Sequence, residues 1–112
     1  MFSFADSTAT RIDPPRSGVP DSYALYQNYP NPFNPTTAIK FEIPDQGLVN
    51  LSVYNLLGQK IRNLVGEVKP AGVHSVEWDG TDELGNPIPS GIYFYRMTST
   101  GFSDIRRMIL MK

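Results

Sequence analysis

Along most of the chain, hydrophobic and polar residues alternate with a period of two. Over residues 37–43, Ile39, Phe41 and Ile43 stand against Lys40 and Glu42. Over 48–54, Val49, Leu51 and Val53 stand against Asn50 and Ser52, with Tyr54 on the polar side. His74, Val76 and Trp78 share one side of 72–78, with Ser75 and Glu77 on the other. A period of two places one set of side chains on each face of a β-strand, so each segment predicts a strand with one face turned to a core. A one-residue slip in register would turn Val49, Leu51 and Val53 to water, at about 1.5–3 kcal/mol for each buried aliphatic side chain.

Three segments depart from simple alternation. Residues 59–65 (QKIRNLV) place Ile61 and Leu64 three apart, as a bulge or an edge strand would. Residues 92–98 (IYFYRMT) are apolar on both faces, the mark of a central strand. Residues 102–111 set Ile105, Ile109 and Met111 opposite Met108 and Leu110. Between the segments lie turn residues: Pro44 and Gly47, then Gly58 in NLLGQ, then DGTDELGNPIPSG around Ile88, then Thr100-Gly101. No window carries a sustained helical stripe. The expected fold is all-β, an immunoglobulin-like antiparallel β-sandwich of about seven short strands, with the single tryptophan, Trp78, as its largest core side chain.

Upstream, YQNYPNPFNPTT (26–37) carries prolines at 30, 32 and 35. Each removes an N–H donor and turns the preceding residue (Tyr29, Asn31, Asn34) away from helix, so the segment predicts a rigid edge stretch with its aromatics free to pack. Residues 1–22 are rich in Ser, Thr, Asp and Pro without periodicity and read as a flexible linker or tail, extended at Pro14 and Pro15, with the folded domain at 23–112. Phe2 and Phe4 could dock on a neighbour. Met1 to Ala24 has no continuous apolar core, so it is not expected to be a signal peptide, and an exported protein would carry that signal on other sequence.

Composition narrows the chemistry. The chain has 112 residues, enough for one modest core, and a formal net charge of −1, which lacks the basic footprint of a nucleic-acid binder. There is no cysteine, hence no disulfide or thiolate metal site, and no apolar run long enough to span a bilayer. His74 is the only histidine, and its neighbour Ser75 should face the other way, so no nucleophile–base pair is expected and the chain predicts no catalytic residue and no cofactor. Asp79, Asp82 and Glu83 with the Asn86 carbonyl form a set of oxygen donors that calcium could use, but they lack the EF-hand loop pattern and are equally the ordinary residues of turns. Tyr93, Phe94 and Tyr95 alternate sides and make no base-stacking platform. Asn50-Leu51-Ser52 fits the glycosylation sequon but lies in an expected strand.

Four pieces taken together, YQNYPNPFNPTT, VNLSVYNLLGQKIRNLV, PAGVHSVEWDGTDELGNPIPSGIYFYRM and RRMILMK, resemble the type IX secretion system type A C-terminal sorting domain over about residues 24–112. The WDG and PSGIYFY stretch also resembles the immunoglobulin-like domain of flagellar hook-capping proteins. The resemblance implies a non-catalytic sorting signal for an upstream cargo, exported through the periplasm to the cell surface. Its implied partners are the type IX translocon, shuttle proteins and a cell-surface signal peptidase that cuts before Tyr23. It implies recognition by Pro30, Asn31, Pro32 and Phe33, by Leu56, Leu57 and Gly58, and by Arg106, Arg107 and Lys112 in the last strand, whose free edge would offer a template for β-augmentation. Packing alone accounts for the same residues if the prolines only shape the approach to a strand and Leu56 and Leu57 only cap the core. Two other readings stand beside it: a carbohydrate-binding or adhesion sandwich using Tyr26, Tyr29 and Tyr54, and a calcium-stabilised structural spacer.

Overall fold

A computed structural model of the chain describes residues 19–112; Phe2, Phe4, Pro14 and Pro15 and most of the expected linker lie outside them. Seven strands are formed among the described residues: β1 (Ala24–Leu25), β2 (Thr37–Ile43), β3 (Gly47–Tyr54), β4 (Lys60–Lys69), β5 (Gly72–Trp78), β6 (Gly91–Ser99) and β7 (Phe102–Leu110). They build two antiparallel sheets, one ordered β1-β2-β5 and the other β4-β3-β6-β7, packed face to face as the expected immunoglobulin-like sandwich.

The core is the inner set of each alternating segment. Ile39, Phe41 and Ile43 from β2 meet Val49, Leu51 and Val53 from β3, with Tyr93, Tyr95 and Met97 from β6 and Met108 and Leu110 from β7. Trp78 is the largest fully buried side chain, as its place on the apolar side of β5 predicted. Its ring packs against Phe33 at 5.6 Å and Tyr93 at 6.2 Å, and its Nε1 donates to the Thr81 carbonyl at 2.9 Å. β6 is central, between β3 and β7.

β4 is both irregular and an edge strand, the two explanations its poor alternation offered. Its register against β3 shifts between Leu51 and Ser52 and again between Val53 and Tyr54. It continues four residues past the expected end at Val65, because ladder pairing to β3 runs on to Gly47↔Lys69. Ser52, placed by alternation on the polar side, is buried there. Its hydroxyl accepts from Asn63 Nδ2 at 2.8 Å, and Gly66 beside it leaves room for the Asn63 amide. The cover comes from the Asn63 side chain on the neighbouring strand β4, which a period-two reading of one strand does not register.

The two ends of the sandwich differ. At the near end, where the described chain begins, Tyr23 stacks on Phe102 at 5.2 Å beside the β6–β7 turn. The far end gathers the β3–β4 turn, the 79–90 loop and the residues after β7.

Candidate functional site

The far end is assembled from segments distant in sequence. Phe33 is buried against Trp78 and lies alongside β7, where its N–H donates to the Ile109 carbonyl at 3.0 Å and its carbonyl accepts from the Met111 N–H at 2.9 Å. Asn31 Oδ1 accepts from the Ile109 N–H at 2.9 Å, and Gln27 Nε2 donates to the Arg107 carbonyl at 2.7 Å. Asp104 Oδ1 takes the Ile105 N–H at 2.9 Å. The outer edge of β7, expected to be an open template for an added strand, is therefore covered by the proline-rich segment from Arg107 to Met111. The prolines make this possible: with their N–H groups gone, the segment uses side-chain amides where a regular strand would use backbone.

A buried polar knot fixes the same segment. Asn28 Nδ2 donates to Thr37 Oγ1 at 2.9 Å and to the Pro30 carbonyl at 3.1 Å, and Thr37 Oγ1 donates to that carbonyl at 2.9 Å. The Tyr95 hydroxyl accepts from the Asn28 N–H at 2.7 Å and donates to the Tyr26 carbonyl at 2.6 Å. Burial, partly offset by the bond from Asn28, pushes the Tyr95 phenol up to about 12. Sequence reasoning missed Asn28, Thr37 and Tyr95. The available signal was a polar Asn and a Thr flanking the proline run, with a tyrosine on the inward side of a central strand.

Pro30, Asn31 and Pro32 remain exposed above this anchor, whereas Phe33 is inside and offers no surface of its own. At the same end, across the sheet from them, the β3–β4 turn is locked by one side chain. Asn55 Oδ1 accepts from the N–H groups of Leu57 at 2.9 Å and Gln59 at 3.0 Å, and Gly58 takes φ +80°, where a Cβ would be strained. Leu56 and Leu57 are 66% and 82% exposed, so neither caps the core. Holding both in water forgoes about 1.5–3 kcal/mol apiece. Lys112 lies at the same end, exposed, its N–H donating to Ser90 Oγ at 3.1 Å. Arg106 and Arg107 are separated by strand alternation: Arg106 Nε donates to the Leu25 carbonyl at 2.7 Å, while Arg107 pairs across β6–β7 with Phe94 on the outer face.

The acidic loop is occupied by its own turn. Asp82 Oδ1 accepts from the N–H groups of Leu84 at 3.0 Å and Asn86 at 2.9 Å. Glu83 Oε2 accepts from the Asn63 N–H at 2.8 Å, which covers the edge of β4. Thr81 Oγ1 donates to Asp79 Oδ1 at 2.5 Å, and this bond, with the nearby Arg62 guanidinium, holds the Asp79 carboxyl below its ordinary range. Among the described residues no three His, Asp or Glu side chains converge as a metal ion would require. His74 stacks on Phe41 at 5.3 Å with Nε2 2.8 Å from the Pro70 carbonyl, and Ser75 points to the exposed side. The three tyrosines of the adhesion reading are dispersed. Tyr26 bonds Glu42 at 2.7 Å beside the outer face of the three-stranded sheet, Tyr29 projects at the far end, and Tyr54 lies on the outer face of the other sheet.

The FlgD Ig-like domain model matches residues 31–102. The chain belongs to the FlgD Ig-like domain family. Among solved structures, this FlgD Ig-like domain is similar to part of dimeric latent PorU from Porphyromonas gingivalis, with TM-score 0.66 and 20% identity over 83% of this chain and 10% of that one. It is similar to part of PorZ from the same organism, described as an essential surface component of the type-IX secretion system, with TM-score 0.55 and 17% identity over 82% of this chain and 12% of that one. FlgD from P. aeruginosa matches with TM-score 0.50 and 24% identity, over 66% of this chain and 60% of that one. These likenesses are of fold, and the chain spans about a tenth of the length of PorU and PorZ. A search of curated proteins finds no match. No helix among the described residues is long and apolar enough to cross a membrane.

Proposed function

We propose that this domain is a non-catalytic sorting module, read by a type IX secretion machinery to export an upstream cargo across the outer membrane to the cell surface. The observation that carries the reading is the gathering of Pro30–Pro32, Leu56–Leu57 and Lys112 at the far end of the sandwich, with Tyr23 at the other. A cargo joined at the near end would leave the far end free for a receptor. The fold likeness to parts of PorU and PorZ supports the same direction. Partners of this module would be the translocon and its shuttle proteins, with a surface peptidase acting on the segment before Tyr23.

The test is export of a periplasmic reporter fused ahead of the full chain in a type IX-competent host. Deleting residues 102–112 would be a poor control, since Met108 and Leu110 are core and the truncated domain would not fold. Leu56→Ser with Leu57→Ser alters the far end without touching the core. Export by the parent fusion and periplasmic retention of a folded double variant is the expected result. Retention of the parent itself would overturn the sorting function, and equal export of both would remove the leucine turn from the signal.

A further inference from the structure

The outer face of the four-stranded sheet has a composition that a solvent-facing sheet does not need. Antiparallel sheets ordinarily place polar residues on the side away from the core. Here Tyr54 pairs with Phe94 across β3–β6, Arg96 with Ile105 and Ile92 with Ile109 across β6–β7, all directed outward. Tyr54, Leu56, Phe94, Arg96 and Ile105 line a shallow groove of about 360 Å³ running from the β3–β4 turn onto this face. Ile105 is 56% exposed, and no described residue covers it.

The charge is as lopsided as the hydrophobicity. The outward positions of β3, β4, β6 and β7 include Lys60, Arg96 and Arg107 and not one Asp or Glu. None of these three cations takes part in an ion pair among the described residues. The two carboxylates on these strands, Glu67 of β4 and Asp104 of β7, take the other side of the sheet, where Lys69 and Arg106 pair with them; Glu42 lies beside β1, and Glu77, Asp79, Asp82 and Glu83 at the end of β5 and in the loop after it. Aromatic and aliphatic side chains ringed by arginine and empty of carboxylate are the composition of a protein docking patch.

We propose that this face docks a protein partner whose contact surface is acidic and aliphatic. Charge complementarity selects that partner. Two copies meeting face to face would bring together two sets of Lys60, Arg96 and Arg107 with no carboxylate on either face to answer them, which disfavours symmetric self-pairing. The face shares Leu56 and Arg107 with the residues of the secretion reading, but peptide binding is measured without export, so either reading can fail while the other stands.

The test is an NMR titration of isotope-labelled full chain with two synthetic peptides, one alternating Leu and Glu, the other alternating Leu and Lys. The acidic peptide should shift the resonances of Tyr54, Phe94, Arg96 and Ile105. Its affinity should fall by about tenfold or more in the Arg96→Glu, Arg107→Glu double variant and should weaken with salt. The variant's own dispersed spectrum shows that it is folded, and Arg96→Lys with Arg107→Lys should retain binding. Equal binding of both peptides, no binding, or shifts confined to another surface would overturn the proposal. So would concentration-dependent shifts of the face without peptide, which assign it to a second copy. Shifts with phosphatidylglycerol vesicles and none with the acidic peptide would assign it to a membrane instead.

Discussion

The Tyr95 phenolic oxygen lies 2.7 Å from the backbone nitrogen of Asn28, across 67 positions of sequence. The same hydroxyl donates to the Tyr26 carbonyl at 2.6 Å, so one side chain from the central strand β6 closes the open flank of the sandwich over the proline-rich segment. Tyr95→Phe keeps the ring and leaves a buried N–H without its partner. A loss of about 1–3 kcal/mol is expected, read from urea or thermal unfolding.

The same hydroxyl gives stability an alkaline limit. The Tyr95 phenol is raised from 10.0 to about 12, first by burial. The folded state holds this proton more tightly than the unfolded chain, which releases it first as pH rises. The contribution is therefore complete below about pH 10, declines between 10 and 12, and is gone above; it amounts to about 2–3 kcal/mol at most. Unfolding free energy followed across that window should fall more steeply for the parent than for Tyr95→Phe. Tyr93, raised by burial as well, contributes in the same direction to both.

Phe33→Ala removes a fully buried ring from the Trp78 contact and loosens the cover over Ile109. The expected cost is about 3–5 kcal/mol, a large part of the roughly 5–15 kcal/mol that a small domain possesses. Phe33→Leu should cost less than half as much, and unfolding curves of the two variants compare them directly.

Gly66→Ala should also destabilise, for a reason that is steric. A Cβ there would stand 2.8 Å from Asn63 Oδ1, forcing the amide off its bonds to Ser52 and to the Val65 carbonyl. About 1–3 kcal/mol is expected. In an Asn63→Ala background the same substitution should be nearly neutral, so a double-mutant cycle isolates the clash.

Calcium should leave the melting temperature unchanged relative to chelator. Asp82 Oδ1, Glu83 Oε2 and Asp79 Oδ1 already accept hydrogen bonds from the loop and from β4. Asp82→Asn, which keeps an acceptor oxygen, should unfold within about 0.5 kcal/mol of the parent, and Asp82→Ala should cost about 1–2 kcal/mol.

Much of the fold was legible along the chain because a strand's inner residues must all be apolar at a spacing of two. Val49, Leu51 and Val53, or Ile39, Phe41 and Ile43, declare strand, face and core in one pattern. The irregularity at Ile61 and Leu64 announced the edge position and bulges of β4 in the same way. The proline run announced that 26–37 was neither helix nor central strand, since each proline removes a donor.

What the proline-rich segment does was decided only in three dimensions. Asn28 and Asn31 look like turn residues in sequence, yet the Asn28 backbone N–H serves Tyr95 and its side-chain amide Thr37, while the amides of Asn31 and Gln27 serve the outer edge of β7, contacts that depend on which strands end up adjacent. The exposure of Leu56 and Leu57 depended on Asn55 and Gly58 closing the turn away from the core, and the burial of Ser52 on Asn63 folding over it. Alternation reports which side of a strand a residue takes; whether that side meets water, a neighbour's side chain or a partner is set by the packing of the whole sandwich.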